Sequence, residues 1–160
     1  MSKGVIIAIV AVVVVVVAAG AFFALPQGPP VPQARTIQLE AKEFSFNGLG
    51  YTDFPCKQEK GPCGPSVQVK AGETLRIVLK NAGGADHEFI VVTDVKKLGH
   101  PDPDINGAMT DAVKVGESKT ITFVADKPGK YFYACFQDQG TKPDRHADRG
   151  MWAEFTVQEK

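Results

Sequence analysis

From Thr36 onward, apolar residues recur at alternate positions in short runs, and no longer period competes with them. TIQLEAKEFSF alternates across Ile37, Leu39 and Ala41; SVQVKAGETLRIVLKN supplies two runs around Ala71-Gly72; HEFIVVT, KTITFVA, KYFYACF and MWAEFTVQ follow. A period of two places every second side chain on one face, the pattern of a half-buried strand. GGAD, DKPGK and PDPDING separate the runs as turns. Residues 104–113 have room for one short turn of helix. Seven or so short strands with long connections predict an all-β antiparallel sandwich with Greek-key crossings.

The segment ahead of the strands differs sharply. Residues 4–25 carry no charge, and Lys3 stands alone in front of them. At about 1.5 Å per residue, a helix of this length reaches roughly 33 Å, enough for a hydrocarbon core of about 30 Å. Residues 1–25 are therefore expected to be an N-terminal transmembrane anchor. A cleaved signal peptide is the alternative, with Ala19, Gly20 and Ala21 as small residues before the cut. Either reading exports the remainder, so the domain is expected on the extracytoplasmic side, periplasmic or extracellular. Residues 26–34 contain PQGPPVPQ, whose four prolines make an extended, semi-stiff linker.

The domain then occupies residues 35–160, and about 125 residues suffice for one core, expected as a monomeric unit. Without Lys3 it carries 17 basic against 18 acidic residues, which offers nucleic acid no basic surface. In an exported chain Cys56 and Cys63, in FPCKQEKGPCGP, can pair. Closing that eight-residue loop restricts the unfolded chain by roughly 2.5 kcal/mol. Two free thiols or a separate metal site are the alternatives.

Cys135 is then left over, and its neighbours are unusual. The chain has three Cys, three His and three Met, and one of each falls between Cys135 and Met151, with His146 between them. Cys135 ends KYFYACF and Trp152 begins MWAEFTVQ, so the three lie on one connection at an end of the sandwich. Thiolate, imidazole and thioether form a soft donor set that suits copper in both oxidation states better than zinc. His87, opening HEFIVV after NAGGAD, supplies a second imidazole. Taken singly, each has an ordinary role: a strand-edge histidine, a core methionine, a small buried thiol. His100 reads as a surface-loop residue, Met109 has no role, and Trp152 and Phe155 read as core, Trp152 also as a neighbour of the metal.

NAGGADHEFIV, GKYFYAC and HADRGMWAEFTV together resemble the cupredoxins, the blue-copper proteins, and within them the rusticyanin and membrane-anchored sulfocyanin group. The resemblance covers the domain from Thr36 onward. It implies a cupredoxin-like Greek-key sandwich in which His87, Cys135 and His146 are strong ligands of one copper ion and Met151 a weak axial one. Two departures stand out. Ten residues, FQDQGTKPDR, separate Cys135 from His146 where relatives have two to five, and Glu88 stands where many relatives carry an Asn that braces the ligand loop.

Four protein ligands leave no open position for substrate, so the resemblance implies an electron carrier and not an enzyme. Absence of a His-x-His pair argues against multicopper oxidase or nitrite reductase chemistry. The imidazole of His146 is expected at the surface as the electron exit, with Tyr133 on a second route. The expected partners are membrane-bound redox proteins, a cytochrome complex or a terminal oxidase. A copper delivery or storage protein and a metal-free adhesion module are the alternatives.

Overall fold

The computed structural model describes residues 33–48, 61–138 and 145–160. The expected anchor, most of the linker and Cys56 lie outside them. Among the described residues no helix is long and apolar enough to cross a membrane.

Eight strands form two four-stranded sheets: β1 (Arg35–Lys42), β2 (Ser45–Gly48), β3 (Val67–Lys70), β4 (Glu73–Asn81), β5 (Ile90–Val92), β6 (Ser118–Ala125), β7 (Gly129–Ala134) and β8 (Trp152–Gln158). One sheet has the order β2-β1-β4-β6, the other β3-β8-β7-β5. The alternation seen in the sequence is the reason. In β4, Leu75, Ile77 and Leu79 point inward, and Val67 and Val69 do so from β3. With Leu39, Phe46, Phe123, Tyr133 and Phe155 they fill the space between the sheets.

The sandwich is mixed rather than antiparallel. β1 runs parallel to β4 and β3 parallel to β8, while the other neighbours are antiparallel. The cause is the turn at Ala71-Gly72. It does not fold β4 back onto β3 but carries the chain from one sheet to the other. Its two amides are pegged one to each sheet: Ala71 N–H donates to the Gln158 carbonyl and Gly72 N–H to the Ala125 carbonyl, both at 2.8 Å. Gly72 sits at φ 83°, where a residue without Cβ is favoured.

The run HEFIVVT contributes only three residues to the ladder, and they are buried on both faces. Val91 faces the inter-sheet core, while Ile90 and Val92 lie under the following loop with Ala134, Phe136 and Met109. Burial on both sides is why this run is continuously apolar. Residues 104–113 form no helix. They make a turn at Ile105–Ala108 and then bridge back to the β5 segment at Ile90–Met109 and His87–Val113.

Phe155 is fully buried, 6.3 Å from the Phe123 ring across the two sheets. Phe155→Ala is expected to cost about 3–5 kcal/mol, read as a lower denaturant midpoint with an unchanged slope.

Candidate metal centre

His87, Cys135, His146 and Met151 come from three places that the fold gathers at one end of the sandwich. His87 lies just before β5, bridged to Val113 by paired backbone hydrogen bonds of 3.1 and 2.7 Å. Cys135 is the first residue after β7. His146 opens a 3-10 helix, His146–Arg149, that ends at Gly150 in a left-handed conformation. Met151 follows directly and leads into β8. Backbone bonds tie these pieces together: Cys135 N–H donates to the Met151 carbonyl, Met151 N–H to the His146 carbonyl, and Ala147 N–H to the Cys135 carbonyl.

The side chains converge. Nδ1 of His146 is 3.1 Å from Nδ1 of His87 and 3.3 Å from Sγ of Cys135, and Nδ1 of His87 is 3.9 Å from that sulfur. All three residues are buried, and among the described residues this is the one group of three or more such donors close enough for a metal ion. A point equidistant from atoms so spaced lies about 2.0 Å from each, a metal–nitrogen bond length and only slightly short of a metal–sulfur one. The donor set therefore fits a metal once the sulfur draws back by about 0.3 Å. Met151 is fully buried and packs in the same core cluster as Cys135.

Burial governs the charges here. It holds His87 down to about 4, with the neighbouring His146 acting in the same direction and Asp86 opposing. It pushes the Cys135 thiol up to about 12; backbone N–H groups of Gln137 and Glu88 pull the thiol partway back, and the Glu88 charge adds to the rise. Without a cation the pocket favours a neutral His87 imidazole and a protonated Cys135 thiol. A soft cation would take the thiol's proton site, so its binding releases a proton.

Three side chains that the sequence reading did not assign to the site hold this arrangement. Asn81 is fully buried; its amide donates to the carbonyls of Ala85 and Val113 at 2.7 and 2.8 Å and accepts from Gly83 N–H at 2.9 Å. This pins the turn ahead of His87. A Cβ on Gly83 would stand 2.7 Å from Nε2 of His87, so the ring's outer edge needs a glycine there. Arg145, also buried, pairs with Asp148 and reaches the carbonyls of Lys97 and Gly99. Its guanidinium lies 5.2 Å over the Phe136 ring. The third is His100, read from the sequence as a surface residue. It is half exposed, but its Nε2 lies 2.8 Å from Oε2 of the buried Glu88.

The ten-residue separation of Cys135 and His146 is shortened by the backbone. Asp138 and Arg145 form an antiparallel bridge, and His146 N–H donates to the Gln137 carbonyl at 3.0 Å. The excursion is closed at its base, so His146 returns to Cys135 as it would on a short loop.

Two expectations are corrected. His146 is 1% exposed and does not reach the surface, because Phe44 packs edge-on against its ring at 5.3 Å and Arg149 lies over Phe44. Trp152 points away from the inter-sheet core; it meets Phe132 at 5.4 Å on the outer face. Tyr133 is buried in the core, stacked on Phe89, with its hydroxyl donating to the Pro65 carbonyl.

Residues 25–160 match the family described as multicopper oxidase. Among curated proteins, 77 residues are 34% identical to a copper-resistant cuproprotein, CopI, of Rubrivivax gelatinosus, covering 44% of this chain and 47% of that protein. The chain thus spans about half the length of this relative. Among solved structures, a dithionite-reduced auracyanin from Roseiflexus castenholzii superposes with a TM-score of 0.50 at 24% identity, over 78% of this chain and 98% of that one. A copper nitrite reductase from Nitrosomonas europaea gives 0.53 at 25% identity, over 80% and 42%. The fold is cupredoxin-like.

The metal-free domain should be most stable between the titration ranges of its buried donors. The unfolded chain takes up the His87 proton near 6.5 and the folded chain only near 4, so stability falls as pH drops through that interval. The unfolded chain loses the Cys135 proton near 9 and the folded chain near 12, so stability also falls as pH rises through that one. Denaturant midpoints at about pH 5, 7.5 and 10 should peak at the middle value.

Proposed function

We propose that this chain, which belongs to the multicopper oxidase family, is a single-electron carrier in which His87, Cys135, His146 and Met151 would hold one copper ion. The observation that carries this reading is the convergence of two imidazole nitrogens and a thiol, all buried, at bonding distances from a common centre. A bound copper ion would supply the Cu(I)/Cu(II) couple. The chain's own residues do the rest. They enclose the donors so that no substrate reaches them, which suits transfer of an electron and not of atoms. The backbone N–H groups of Gln137 and Glu88 favour the thiolate form of Cys135. Backbone pegs on every ligand-bearing segment limit movement between oxidation states. The match to nearly the whole length of an auracyanin agrees with a domain of this size standing alone.

In this reading the electron leaves past Phe44, which covers the buried His146. Residues 1–25 anchor the protein in the membrane or are removed as a signal, residues 26–34 space the domain from the surface, and the domain works on the extracytoplasmic side as a monomer. Its partners are membrane-bound redox proteins, a cytochrome complex or a terminal oxidase, whose encounter tethering promotes. A second reading, copper tolerance with the ion as cargo, is favoured by the similarity to CopI. Slow exchange of bound copper into a chelator supports the carrier, and rapid exchange supports the cargo reading.

Titration of the purified protein with Cu(II) should produce intense visible thiolate-to-copper absorption. Cys135→Ser should abolish it and weaken binding by more than the roughly 10–100-fold that loss of an outer hydrogen-bond partner costs. Met151→Leu should retain copper and raise the reduction potential; loss of all binding would rule out Met151 as only a weak ligand.

We also propose the Cys56–Cys63 disulfide. Cys63 is buried and fixed between β2 and β8, accepting from Phe46 N–H at 2.7 Å and donating to the Trp152 carbonyl at 2.8 Å. Alkylation under denaturing, non-reducing conditions should label one cysteine, and labelling of all three would exclude the pairing.

A further inference from the structure

Glu88 is a carboxylate where a charge is costly. It is buried on the strand segment next to His87, yet it makes its contacts on the other ligand-bearing segment. Oε1 accepts the Phe136 backbone N–H at 2.9 Å, which belongs to the peptide unit immediately after Cys135. Oε2 accepts from the side-chain amide of Gln137 and from Nε2 of His100. A side chain accepting from three donors is satisfied as an ionised, acceptor-only carboxylate, whereas a neutral amide in its place would bring an NH₂ group toward those donors. One residue therefore touches both ligand segments and places a negative charge beside the donors. Burial of that charge without compensation would be unfavourable.

We infer that Glu88, clasped from the solvent side by His100, is a positioning and charge-setting residue of the metal centre: it ties the Cys135 segment to the His87 segment and biases the site toward the more highly charged ion. The second half rests on the copper reading; the first half does not. A unit charge one peptide from the thiolate, partly screened, stabilises Cu(II) over Cu(I) and so lowers the reduction potential. Exposed and hydrogen-bonded only to Glu88 in this contact, His100 acts through Glu88 and touches no ligand.

The test uses the full-length chain with Glu88→Gln, Glu88→Ala and His100→Ala. Hydrogen exchange of the Phe136 amide in the metal-free protein reads positioning. Exchange should accelerate at least about tenfold in Glu88→Ala and less in His100→Ala, with global circular dichroism retained. Unchanged exchange in both would overturn the positioning role. Competition with Cu(I)- and Cu(II)-selective chelators reads the charge. Glu88→Gln, which keeps the shape and removes the charge, should raise the Cu(I)-over-Cu(II) preference about tenfold or more. A preference unchanged in Glu88→Gln would overturn the charge-setting role. If the unsubstituted protein itself shows no thiolate absorption with copper, the copper reading and the charge claim both fall, while amide exchange still decides positioning. Should Glu88→Ala fail to fold, His100→Ala, altered only at the surface, decides it.

Discussion

Two imidazole nitrogens and a thiol face one another at 3.1 to 3.9 Å inside the apolar end of a sandwich, and the rest of the structure is arranged around that contact. Buried polar atoms stay buried only when something compensates them. Here the described residues leave Nε2 of His87 without a hydrogen bond and turn both Nδ1 atoms inward. A core selected for stability alone would place hydrocarbon at these positions. The tight turn pinned by Asn81, the glycine against the His87 ring and the arginine locked over Phe136 are the means by which the fold holds the donors together.

The strands were legible in the sequence because alternation is a local property: Leu75, Ile77 and Leu79 declare which face of β4 is inside without reference to any partner. Sheet membership was not. Ala71-Gly72 reads from its residues only as a turn between two runs, and it is the hydrogen bonds to Gln158 and Ala125, distant in sequence, that show it crossing between sheets. The same distinction applies to the site. Cys135, His146 and Met151 stood out because their residue types are scarce and their flanking strands regular. His100 read as a surface-loop residue, and neither Asn81 nor Arg145 was assigned to the site, since each acquires its role from a contact with a segment elsewhere in the chain. The exposure expected for His146 failed for a related reason. Phe44 belongs to the β1–β2 turn, about a hundred residues earlier, and nothing near His146 announces it.

Family membership and fold do not by themselves separate the possible activities. A likeness to a copper nitrite reductase and to an auracyanin describes one architecture that serves both an enzyme and a lone domain. The carrier reading proposed above rests on access. In this chain His87, Cys135 and His146 are each within about a percent of full burial, and no side of their triangle faces solvent. In the proposed carrier reading, that enclosure suits a change of charge and not the binding and release of a molecule.

The excursion between Cys135 and His146 shows how a departure in spacing can leave a site intact. Loop-closure entropy grows slowly with length, so six additional residues impose little cost if the ends are held. The Asp138–Arg145 bridge and the bond from His146 to the Gln137 carbonyl hold them. Arg145 secures the returning strand by reaching past the bridge to the carbonyls of Lys97 and Gly99. The residues that shape the donor triangle are consequently those at the base of the excursion, and its sequence length ceases to measure the distance between the ligands it connects.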